Sequence, residues 1–261
     1  MEWRFAEGRY DLFPTLAAEL VHVPVDVIVV GTPPAVKPVQ LATATIPVVM
    51  GTSTDPVSSG LVASLSHPGG NTTGLASSQE DICLKQLDIL HEAIPKLARV
   101  GFVRNPDNAF HNRVLSILQN AAPKSGVTIQ TVEMRRPEDI ETGFAKLKEG
   151  GVDAVVFSGD GFLFAQRAAI GAAALRAQMP TIFGQREYVE AGGLISYGNS
   201  LADLYRRAAY YVDKIMNGEK PAELPVQQPT NFETVINRKS AAALGLSLPI
   251  QLLVLADQVI E

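Results

Sequence analysis

Small polar residues recur just after short apolar runs in this chain, and their types suit the capture of a charged small molecule. Thr32 follows VDVIVVG (25–31), and Ser53, Thr54 and Asp55 follow IPVVMG (46–51). Asn105 ends VGFVRN (100–105), Asp160 follows DAVVFSG (153–159), Gln185 ends PTIFGQ (180–185), and Tyr197 lies in GLISYG (193–198). The hydroxyls of 52–54 can donate to an anion, and the Asp55 carboxylate can accept from an ammonium. Pro33 or Pro34 suits the first turn of a helix, whose N-terminus carries free N–H groups and partial positive charge. Each residue also has a plain structural reading. Thr32 fits an N-cap, Asp55 fits a turn before Pro56, Asp160 between two glycines fits an Asx-turn, and Tyr197 fits packing where the chain crosses between lobes.

Bond-making signatures are missing from the same list. There is no G-x-S-x-G elbow and no Walker A sequence. The histidines, at 22, 67, 91 and 111, lack metal-ligand spacing and read as surface or helix-end residues. No carboxylate pair suggests general acid–base work, and Asp160, between Gly159 and Gly161, has no second carboxylate beside it in sequence. No catalytic residue, metal or cofactor is expected. Cys83, the single cysteine, cannot form an internal disulfide and reads as a half-buried thiol near a helix start.

Composition narrows the class further. With 46% hydrophobic and 19% charged residues among 261, the chain can bury a core. A net charge of −5, with no basic run, argues against a nucleic-acid partner. No stretch has the length of a membrane span. MEWRFAEGRYD carries charge from its second residue and has no signal-peptide apolar region, so the expectation is a cytoplasmic chain if Met1 is the true start.

Strand-like runs and helical stripes alternate along the chain that carries these residues. The six runs above, with VTIQTV (127–132), are apolar on consecutive residues, as strands covered on both faces are. Between them lie helical stripes at Leu12, Leu16 and Leu20; at Ile82, Leu87, Leu90 and Ile94; at Val114, Ile117, Leu118 and Ala121; at Ala168, Ala172 and Leu175; and at Leu204, Ala208, Tyr211, Val212 and Ile215. This alternation predicts an α/β fold with parallel sheets. One run of βα units ends before Ser66 and a second starts at Val100, so two lobes are expected. SHPGGNTTGLASS (66–78), GGLISYGNS (192–200) and LPVQQPTNF (224–232) read as the three crossings between them. In open sheets of this kind, ligands sit beyond the carboxyl ends of the strands, where the polar residues fall.

Four long segments resemble one family. DPVSSGLVASLSHPGGNTTGL (55–75), EAGGLISYG (190–198), RRAAYYVDKIMNGEKPAELPVQQPTNFETVIN (206–237) and AAALGLSLP (241–249) are similar, in order, to segments of the ABC-transporter substrate-binding proteins of the tryptophan and phenylalanine type. The resemblance covers essentially the whole chain. It implies two doubly wound parallel-sheet lobes with a hinged cleft, as in type I periplasmic binding proteins, and divides the chain into 1–74 plus 199–225 and 75–198 plus 226–261. It implies capture of a small solute, often an amino acid, for a membrane ABC permease, by a monomer in the periplasm. It also places Thr32, the 52–55 loop, Thr73, Asp160 and Tyr197 in segments like the family's ligand-facing loops. A ligand sensor that signals to a partner protein is the alternative in another class. Family members carry an export signal and a first βα unit ahead of a segment like EWRFAEGRYD, where this chain starts, so the first lobe is expected to lack a strand that is usually central.

Overall fold

The computed structural model describes residues 1–77, 79–228 and 230–261, and of Glu80 only the backbone. Pro229, inside the third expected crossing, lies outside the described residues. In chain order the elements are α1 (Phe13–His22), β1 (Ile28–Val30), α2 (Pro33–Ala42), β2 (Val48–Met50), β3 (Thr72–Gly74), α3 (Gln79–Ala93), β4 (Arg99–Arg104), α4 (Phe110–Ala121), β5 (Thr128–Glu133) and α5 (Asp139–Glu149). They continue as β6 (Ala154–Phe157), α6 (Gly161–Ala165), α7 (Arg167–Ala177), β7 (Thr181–Phe183), α8 (Arg186–Glu190), β8 (Ile195–Asn199), α9 (Leu201–Met216), β9 (Phe232–Asn237), α10 (Arg238–Ala243), α11 (Ile250–Leu255) and β10 (Gln258–Ile260). All seven apolar runs contain a strand. The chain divides into two compact units, Met1–Ser78 with Leu201–Asn231 and Gln79–Ser200 with Phe232–Glu261.

Unit 1 holds the parallel sheet β1-β2-β3. Successive residues of β2 point to opposite faces, as the pleat requires. Val48 and Met50 pack with Ala17 of α1 and Val36 and Val39 of α2, while Val49 packs with Leu204, Ala208 and Tyr211 of α9. Helices therefore cover both faces of β2. The outer strand β1 is less covered, and Val29 at its centre is 44% exposed.

The first expected crossing, 66–78, holds more than a connection: Thr72–Gly74 within it is a full member of the unit 1 sheet, paired in parallel with Val48–Met50. The first stretch of unit 1 ends at the last residue of this segment, Ser78, which lies outside the described residues. Gly74, at φ 129°, lies so close to the Met50 backbone that a Cβ would collide with its carbonyl oxygen and nitrogen. Short, polar, glycine-bearing strands do not read as strands by hydrophobicity, and here the positive φ and the close approach demand the glycine. Asn71, just before β3, donates to the carbonyls of Thr43 and Ile46 and ties the strand start to the end of α2.

Unit 2 holds a seven-stranded sheet in the order β10-β9-β8-β7-β6-β4-β5. The pairs are parallel except β8 with β9, which are antiparallel, a departure from the all-parallel expectation. Phe102, Val156, Ile182 and Ile195 pack on one face with Leu90 of α3 and Leu118 of α4. Val103, Val155, Phe157 and Phe183 pack on the other with Phe144 of α5 and Ile170 of α7. Cys83 is fully buried in α3 rather than half-buried. The first strand of the unit, β4, lies between the second and the third, so the order reverses between β4 and β6. Open α/β sheets bind ligands at such a reversal.

Candidate functional site

The reversal between β4 and β6 is where unit 2 concentrates its buried polar groups. Asn105 leaves β4, and Ser158, Gly159 and Asp160 leave β6. Asp160 is the N-cap of α6: its Oδ1 accepts from the Leu163 N–H at 2.9 Å. The same carboxylate accepts from Asn105 Nδ2 at 3.1 Å and from Asn108 Nδ2 at 3.1 Å. Asn105 and Asp160, named from sequence separately, thus meet directly. Asp160 is a helix cap and a hub for two amides, so its structural reading, a side chain bonded to its own following backbone, holds.

His111 braces the same place. It is at a helix end, as expected, but it is fully buried rather than on the surface. The Asn105 backbone N–H donates to its Nδ1 at 2.9 Å, which leaves the proton on Nε2, 3.4 Å from the Gly159 carbonyl. One neutral ring therefore joins the loops after β4 and β6. Burial pushes the imidazole pKa down; Asp160 and the Gly159 carbonyl oppose this, and Arg104 reinforces it.

Below about pH 6.5 the unfolded chain gains a proton on this histidine while the folded chain, with its lowered pKa, does not. Stability is therefore complete above that pH and falls as pH drops toward the folded value, by at most about 1.4 kcal/mol per pH unit. His111→Gln will show a shallower loss between pH 7 and 5 than the parent in urea unfolding. Equal slopes would refute the neutral, buried assignment.

Gln185 follows β7 and precedes α8 without using its side chain as a cap. Its Nε2 lies near Gly159, and its Oε1 is buried with no protein partner. The Ser158 hydroxyl is also buried without a partner. Such atoms are uncommon in native proteins and call for a ligand or an ordered water. Tyr197 of β8 stacks on Phe232 with ring centroids 5.6 Å apart, and its carbonyl accepts from Gln86 Nε2. Burial, and then Asp81, raises its phenol pKa. Packing accounts for its position.

Unit 1 carries the other five sequence candidates at or near strand ends. Thr32 is the N-cap of α2 by backbone geometry, but its side chain makes no capping bond. The expected cradle of free N–H groups at this helix start does not form. Pro33 and Pro34 have no N–H, and the Ala35 N–H is bonded to the Thr32 carbonyl at 3.1 Å. Ser53 is fully buried and its hydroxyl has no partner. The Thr54 hydroxyl contacts Ser77 Oγ at 3.3 Å, beside an isolated bridge between the two residues. Asp55, at φ 45°, accepts from the Ser58 N–H through Oδ1, so its turn-forming reading holds. The Thr73 hydroxyl donates to the Leu224 carbonyl at 2.6 Å in a buried position, where it fastens β3 to the returning chain.

Sequence reasoning passed over Asn108 and His111. Their signal was the spacing Asn105, Asn108, His111 directly after a strand, which brings three polar side chains round one strand end. Among the described residues, no group of three His, Cys, Asp or Glu could hold a metal ion, and no helix is long and apolar enough to cross a membrane.

The family model for ABC transporter substrate binding proteins matches residues 1–260. The chain belongs to that family. The family is one of binding proteins, not enzymes, and this member has the fold of the type I periplasmic binding proteins. Among curated relatives, the tyrosine-binding protein of Clostridioides difficile (strain R20291) is 24% identical over 246 residues, 94% of this substrate-binding protein and 70% of that one. Among solved structures, an ABC domain from Streptococcus pneumoniae in complex with L-Trp is 27% identical at a TM-score of 0.87, covering 97% of this chain and 87% of that one. A conserved domain protein from Vibrio cholerae O1 biovar eltor str. N16961 is also 27% identical, at a TM-score of 0.91, with 99% and 86% covered.

Proposed function

We propose that this substrate-binding protein captures a free amino acid with an aromatic side chain and hands it to an ABC permease outside the cytoplasm. The observation that carries the reading is the pair of buried, unpartnered polar atoms at strand carboxyl ends of unit 2, Ser158 Oγ and Gln185 Oε1. Such hydroxyls and amides suit the carboxylate and ammonium of an amino acid. The likeness to a domain crystallised with L-Trp and to a tyrosine-binding protein supports the aromatic class.

The test is a thermal melt and a calorimetric titration with L-Trp, L-Tyr, L-Phe, L-Leu and a set of sugars. A ligand at about 100 times its Kd adds about 2.7 kcal/mol, which will raise the midpoint by about 5–10 °C for a chain of this size. A shift with an aromatic amino acid is expected. A shift with a sugar alone would overturn the amino-acid reading.

A further inference from the structure

One side chain in unit 1 is placed for a role that none of the sequence candidates fills. Tyr205 lies in the first turns of α9, next to Leu204, which anchors that helix on the sheet. Its ring reaches across the carboxyl ends of β1 and β2. A Cβ built on Gly31, the residue after β1, would be 2.6 Å from the Tyr205 Oη. A Cβ built on Gly51, the residue after β2, would be 3.7 Å from its Cε1. The ring thus rests on two glycines that give it room, at the end of the sheet where this fold takes ligands.

The rest of Tyr205 is open. The residue is 51% exposed, and among the described residues its hydroxyl makes no hydrogen bond. A tyrosine needed only to seal the strand ends would bury its ring and pair its hydroxyl. On the same two loops stand Thr32, whose side chain is not used as a cap, and Ser53, whose buried hydroxyl has no partner. An apolar aromatic surface beside hydroxyls is the composition of a small-molecule site.

We propose that Tyr205 is a specificity-determining contact, whose exposed ring packs against the aromatic side chain of the bound amino acid. This rests on the aromatic amino-acid reading. Gly31 then has a defined supporting part: its lack of a side chain lets the phenol lie down over the strand ends.

The experiment titrates L-Trp and L-Leu into the parent chain, Tyr205→Ala, Tyr205→Phe, Gly31→Ala and the double variant Gly31→Ala/Tyr205→Ala, each checked for a cooperative melt. Tyr205→Ala will weaken L-Trp about tenfold, the loss of one aromatic pair with its buried area, and weaken L-Leu less. Tyr205→Phe will bind as the parent does, since the ring and not the hydroxyl makes the contact. Gly31→Ala will also weaken L-Trp by displacing the ring, and will add nothing further once Tyr205 is alanine. If Tyr205→Ala binds L-Trp like the parent, or if both ligands weaken equally, the Tyr205 inference fails while the amino-acid reading stands. If the parent binds no amino acid, the amino-acid reading fails and the inference falls with it.

Discussion

Gly74→Ala will destabilise unit 1 by about 2–6 kcal/mol. Two costs combine. The first is conformational: at φ 129° an L-residue is strained, by about 1–3 kcal/mol. The second is steric. The new methyl would collide with the Met50 carbonyl and nitrogen, both backbone atoms of the central strand β2, so no side chain can swing aside. Forced overpacking of this kind costs about 1–3 kcal/mol, and relief would part β3 from β2. The Leu75 N–H to Met50 carbonyl bond, 2.8 Å, sits at the same point. The measurement is urea unfolding followed by circular dichroism, with limited proteolysis to report which unit opens. The expected result is an early transition with cleavage inside Met1–Ser78 or Leu201–Asn231. A variant within about 1 kcal/mol of the parent would show that β3 does not pack as described.

Asp160→Ala will cost unit 2 about 4 kcal/mol. The carboxylate caps α6 and accepts from the buried amides of Asn105 and Asn108. Losing an N-cap costs about 1 kcal/mol, and each buried donor left unpaired costs about 1–3 kcal/mol. These losses share one network and will not add fully. Asp160→Asn separates the parts. Its single oxygen can still cap Leu163, but its NH2 group would face two other amide NH2 groups, so about half of the loss will remain. Equilibrium unfolding of both variants checks the order parent, Asn, Ala. An alanine variant as stable as the parent would mean that the network at the reversal is not formed. Ligand affinity should fall as well, because the loops holding Asn105 and Ser158 are fixed by this hub.

The α/β class was legible because buried parallel strands and amphipathic helices leave different periodicities. VVM and AVVF are apolar on every residue since both faces are covered, and α9 shows its stripe since only one side is. The strands β3, β9 and β10 were not legible. TTG carries no hydrophobic signal, and QVI and FETVIN are outer or antiparallel segments with mixed exposure. Of the nine candidate residues, Thr32, Ser53, Asn105 and Gln185 could be named because they follow strands. Whether a polar side chain at a strand end is free or already bonded depends on partners far along the chain. Thr73 is bonded to Leu224, and Asp160 to Asn105, across 151 and 55 residues of sequence.

Reading the residues in order is enough to see that this chain forms parallel α/β layers, that its polar loops gather at strand ends, and that four long segments resemble the substrate-binding proteins. Those properties are local: they depend on period, on turn residues and on contiguous motifs. That β4 and β6 flank the reversal, that His111 is buried between their loops, and that Tyr205 lies across Gly31 and Gly51 emerge from the packed fold. Strand order and the neutral state of a buried imidazole are set by which distant segments pack together, and sequence spacing carries no record of that choice.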